Sequence, residues 1–138
     1  MRAETPALDD ATLLRQFEEG TLPPTAFHHR EHVRVAWLYL QAEPPLAALA
    51  RFTAALQRFA AIHGASGLYH ETITWAYLLL IRERMEREGA RATSEEFVAR
   101  HPDLITWKPS ILDRYYRPET LRSDLARRVF VLPDRCSA

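Results

Sequence analysis

Cysteine is almost absent from this chain of 138 residues: Cys136 is the only one. A single thiol cannot close an intrachain disulfide, and a reducing, cytoplasmic setting is the expectation. A charge excess is also missing. Eighteen Lys and Arg balance eighteen Asp and Glu, so no strongly basic face argues for nucleic acid, and nothing draws the chain to an anionic membrane. Long apolar runs are missing too. The longest, 75–81, falls far short of the roughly 20 residues that a helix needs to span a bilayer. The opening Met1-Arg2-Ala3-Glu4-Thr5-Pro6 lacks the apolar centre of a secretory signal. Finally, no segment holds a sustained period-two alternation, the mark of a half-buried strand.

What the chain does have is helical periodicity cut by glycine and proline. Asp9 and Asp10 precede Leu13, Leu14 and Phe17, which share one helical face over 11–19, and Gly20 follows. Thr25 reads as the N-cap of a second helix over 26–41. A third follows Pro44-Pro45 and runs to about residue 63, with Leu46, Leu49, Phe52, Leu56 and Phe59 on one stripe and Gly64 just beyond. A fourth is expected over 70–88, ended by Gly89. Thr93 and Glu96 have capping-box spacing for a short fifth helix before His101-Pro102. Pro109 and Pro118 suit first helical positions, which predicts short helices over 110–116 and 119–128. The apolar tail Val129-Phe130-Val131-Leu132-Pro133 is expected to lie extended on the body. All four glycines and nine prolines thus fall at boundaries or outside helices. Such agreement between local signals predicts one all-α domain over 1–138, a compact bundle of about four main helices plus short C-terminal helices.

Histidine is the residue that stands out. Three of six lie in Phe27-His28-His29-Arg30-Glu31-His32, and a fourth lies in Tyr69-His70-Glu71-Thr72. At 100° per residue, His29, His32, Val33, Ala36 and Leu40 share the inward face of the second helix, with Arg30, Glu31, Arg34 and Gln41 opposite. In an up-down-up-down bundle the second and fourth helices are parallel, so both clusters open helices at the same end, and His63 arrives there as well. A helix N-terminus disfavours imidazolium, which keeps His29 and His70 neutral and able to ligate a metal. His29, His32 and His70 would supply three nitrogens for zinc, iron, copper or nickel, with an open position for water or a small-molecule substrate. Glu71 would add a carboxylate to the ligand set or, if not a ligand, act as general base, with Tyr115 or Tyr116 as proton donor.

A plainer reading stands beside each of these. His29 and His32 become buried histidines bonded to loop carbonyls and to Glu71, and His70 an N-terminal cap. The pocket then holds a small ligand without chemistry, or the domain serves protein interaction. His28 faces solvent, His63 meets a helix C-terminus and His101 lies in a loop. Trp37, Trp75 and Trp107 are core residues, and Arg127 and Arg128 pair with surface carboxylates rather than bind an anion.

The run Phe27-x-His29-x-x-His32 with Ala36-Trp37, then Tyr69-His70-Glu71-Thr72, Tyr115-Tyr116, Leu121-x-Ser123-x-x-Ala126-Arg127 and Phe130-Val131-x-Pro133-Asp134 resembles a family of small bacterial all-helical proteins with no established activity. The resemblance spans about 27–134. It implies a shared fold and a shared set of marked residues, His29 and His32 rather than His28 among them. In architecture alone the arrangement is similar to the DinB-like bundles, which carry a three-histidine metal site with a different spacing.

Overall fold

Side-chain chemistry starts and stops the helices. In the computed structural model, which describes residues 7–89 and 93–135, Asp9 caps α1 (Asp10–Glu19) by accepting the Thr12 N–H at 2.8 Å. Gly20 closes that helix in the left-handed region at φ 77°, a conformation that costs glycine little. The next helices are α2 (His29–Ala42), α3 (Pro45–Ile62), α4 (Glu71–Glu88) and α5 (Ser94–Arg100). Three short ones complete the chain: α6 (Pro102–Ile105), α7 (Pro118–Leu121) and α8 (Asp124–Arg128). Proline stands first in α3, α6 and α7, where its missing N–H loses no bond. No strand occurs among the described residues, and the all-α expectation holds.

The boundaries depart from expectation in four places, one of them α6, since no helix is expected over 102–105. The second helix does not begin at Ala26. Pro24–Ala26 forms a 3-10 turn and His28 takes the N-cap position of α2. Phe27 leaves the helical path to stack on Phe17 at 5.1 Å and lie against Phe59 at 4.8 Å. The helix expected over 119–128 is broken in two, because Ser123 accepts the Ala126 N–H and caps α8 afresh. Residues 110–116 yield only a 3-10 turn, Ile111–Arg114, capped by Ser110.

α2 lies at the centre, packed on α1, α3, α4, α5 and α6. Its surroundings correct the two-sided picture drawn from periodicity. Arg34, placed outward with Arg30 and Glu31, is 1 % exposed. α5 and the segment leading into α1 cover that face. Arg34 Nε donates to Ser94 Oγ at 2.7 Å, and Nη2 donates to Leu8 O at 2.6 Å and Asp10 Oδ1 at 3.2 Å. Asp10 in turn accepts the Ser94 N–H at 2.9 Å. Trp37 is core, but Trp107 is 46 % exposed, so the third tryptophan is not a core residue.

The tail lies on the body as expected. Thr72 Oγ1 donates to Val129 O at 2.8 Å and accepts from Val131 N at 3.0 Å. Tyr116 Oη donates to Val131 O at 2.7 Å, and Phe130 stacks on Trp75 at 5.1 Å. No helix among the described residues is long and apolar enough to cross a membrane.

Candidate functional site

The N-terminal turns of α2 and α4 and the end of α3 converge on a cavity of about 850 Å³. Five of the chain's six histidines line it: His28, His29, His32, His63 and His70. Most of the rest is apolar, including Phe27, Leu56, Phe59, Ile73 and Trp107. No Asp or Glu is among the lining residues.

The five imidazoles differ in what they already hold. His70 is spoken for on both nitrogens. As N-cap of α4 its Nδ1 accepts the Ile73 N–H at 3.1 Å, and its Nε2–H donates to Leu121 O at 2.7 Å. Its pKa is lowered by burial, which the carbonyl partially opposes. His29 has one free edge. Nε2–H donates to Leu104 O at 2.8 Å, while the ring packs between Tyr77 at 4.6 Å and Trp107 at 4.9 Å. Burial lowers its pKa, and Nδ1 is then left with a lone pair and no partner among the described residues.

His32 stacks on Phe27 with ring centroids 4.0 Å apart. Its imidazole has no hydrogen-bond partner among the described residues. Burial pushes its pKa down to about 3, and the neighbouring His29 adds to the shift, so the ring is neutral at pH 7. His63, the C-cap of α3, lies against Phe59 at 4.5 Å. Its Nε2 is buried and unpartnered among the described residues. His28 sits at the rim, its side chain 73 % exposed and its Nδ1 3.1 Å from Glu31 Oε1.

The other residues singled out from the sequence lie elsewhere. Glu71 is not in the cavity lining. It accepts a 2.5 Å hydrogen bond from the Tyr69 hydroxyl, whose pKa rises through burial and then through that bond. Tyr116 is buried in the core with its hydroxyl given to Val131 O. Its pKa is raised by burial, then by Asp134. Tyr115 is exposed at the surface. Neither tyrosine lines the cavity. His29 and His32 reach the cavity with free lone pairs, whereas His70 reaches it with none. Among the described residues no group of three His, Cys, Asp or Glu side chains is arranged to hold a metal ion.

Two residues that enclose the site were assigned to other roles from the sequence. Trp107, just past α6, forms a wall beside His29. Arg127, in α8, lines the cavity and donates to Gly67 O at 3.0 Å and Tyr69 O at 3.4 Å. Neither lies near the histidine clusters in sequence. The one local hint was Phe59 four residues before His63, which puts the pair on one helical face. No protein-family model, no curated protein and no solved structure matches this chain.

Proposed function

We propose that this protein binds a small, largely apolar organic molecule in the cavity between α2, α3 and α4. The observation that carries the reading is the buried, unpartnered Nε2 of His63 in a largely apolar pocket that the unbonded His32 ring also lines. Buried polar groups are ordinarily paired, and leaving one unpaired costs about 1–3 kcal/mol. A ligand that pairs with them recovers that cost on binding. Cavity size and lining agree with the reading, since small-molecule sites run about 300–1,000 Å³ with apolar walls and a few convergent polar groups. Neutral His32 can donate from one nitrogen and accept at the other, which suits a hydroxyl, amide or carbonyl. The free lone pairs of His29 and His32 favour, as a second reading, a metal-assisted reaction on the same bound molecule, for which zinc, iron, copper or nickel would suit imidazole donors.

The test is calorimetric titration with 2-naphthamide, a neutral two-ring probe, while the His32 ring protons are followed by NMR. Binding should move the His32 resonances. Ala36→Phe, which fills the cavity from α2, should abolish binding. If the probe does not bind, or binds equally well to the filled variant, the proposal fails. Metal analysis of protein purified without a histidine tag decides the second reading.

A further inference from the structure

The cavity lining carries one sign of charge. Arg30 and Arg127 are its arginines and no carboxylate accompanies them, although the chain as a whole is neutral. The two cations are in different states. Arg30 Nη2 is held by Glu95 Oε2 at 2.5 Å. Arg127 forms no ion pair among the described residues. Arg127 is exposed at the rim, and its Nη1 donates to the Gly67 and Tyr69 carbonyls, which orient the guanidinium along the cavity wall. Nη2 and Nε keep open donors, the fork that fits a carboxylate. The mouth around it is apolar in an unusual way: Leu68, 79 % exposed, and Trp107, 46 % exposed, both line the cavity while facing water.

Resting on the ligand-binding reading above, we infer that the molecule bound here is an aromatic carboxylic acid, with its carboxylate on Arg127 and its ring system between the phenylalanine cluster and Trp107. The aromatic part of the inference comes from the walls. Phe27, Phe59, Tyr69 and Trp107 all face the cavity, and ring-on-ring packing adds to simple apolar burial. The acid part comes from an anchored cation with no carboxylate beside it in the lining.

The test compares 2-naphthoate with 2-naphthamide, which has the same shape and no charge. The acid should bind about tenfold more tightly, since a charge-assisted hydrogen bond exceeds a neutral one by about that factor. Arg127→Gln should bring the ratio close to one. Arg127→Lys should keep part of the preference, because it holds the charge without the fork. In the wild-type protein, added sodium chloride should weaken the acid and spare the amide. Equal binding of acid and amide by the wild type overturns the inference and leaves the ligand-binding proposal standing. So does an acid preference that survives Arg127→Gln, or one that is indifferent to salt. If neither probe binds, the ligand-binding proposal itself fails.

Discussion

α2 carries polar side chains on two opposite faces, and the two faces differ in kind. On one, Arg34 meets Ser94, the Leu8 carbonyl and Asp10, with Glu95 Oε1 at 3.2 Å. On the other, His32 enters the cavity with a stacked phenylalanine and no hydrogen-bond partner among the described residues. The guanidinium cluster ties the N-terminal segment and α5 to the central helix, with Glu95 Oε1 ion-paired to Arg34 but not hydrogen-bonded. The imidazole face ends in a largely apolar pocket that is open to solvent. A polar group whose partners all come from the chain belongs to the scaffold. One that lines a cavity neutral and unpaired is available to something that arrives.

If that distinction holds, the largest effect on stability comes from the closed face. Arg34→Met should cost about 3 kcal/mol, because it leaves Asp10 and the Leu8 carbonyl without their cation. The partial exposure of Asp10, 22 %, keeps the cost toward the low end of the range for broken buried pairs. Urea unfolding measures it. A loss under about 1 kcal/mol would mean that the cluster contributes little and the comparison misplaces the scaffold.

The second effect sharpens the contrast within one residue type. His70 is a histidine of the cavity wall with both nitrogens used. His70→Ala removes the N-cap of α4 and strands Leu121 O, for about 2 kcal/mol together. His70→Asn should recover roughly half, because it restores a capping oxygen but is too short to bridge to α7. If Asn recovers nothing, the bond to Leu121 carries the whole contribution and the cap is incidental.

The sequence made one face of α2 more legible than the other, and the reason is physical. Period and spacing put His29 and His32 inward, and the up-down order brought the Tyr69-His70 cluster to the same cavity, as the lining shows. Helix existence was readable because Gly20 and Gly64 sit at positive φ beyond helix ends and because Asp9 and Thr93 each cap with their own oxygen, whereas the Ser123 cap that divides 119–128 was not read. Arg34 was not readable. A charged residue among Arg30 and Glu31 reads as solvent-facing in any local window, and only the docking of α5 and the α1 segment buries it. His70 could be read as cap or ligand, since both roles want a neutral imidazole at a helix start. Trp107 and Arg127 reach the cavity from irregular or very short elements, where no period says which way a side chain points.

The smallest effect on stability at neutral pH, and the most diagnostic, belongs to His32. His32→Leu exchanges an unpaired imidazole for an apolar side chain of similar size. No hydrogen bond seen among the described residues is lost, only the stack on Phe27, which is worth about 0.5–1.5 kcal/mol. Relief of imidazole desolvation opposes that loss, so the net change should stay within about 1 kcal/mol at pH 7. In acid the variants should separate. The folded pKa of His32 is lowered to about 3 from an ordinary 6.5. Between those values the unfolded chain binds a proton that the folded chain refuses, so stability falls as pH drops below about 6.5 and goes on falling toward 3. Burial shifts His29 and His70 the same way, which means that removing His32 should flatten this slope without abolishing it. Urea unfolding of wild type and His32→Leu at several pH values between 4 and 7 (roughly the window of unfolded-state protonation) makes the comparison. Parallel pH slopes would show that His32 is not held neutral by burial. A loss above about 2 kcal/mol at pH 7 would show that His32 is bonded into the scaffold after all, and the two faces of α2 would then be alike.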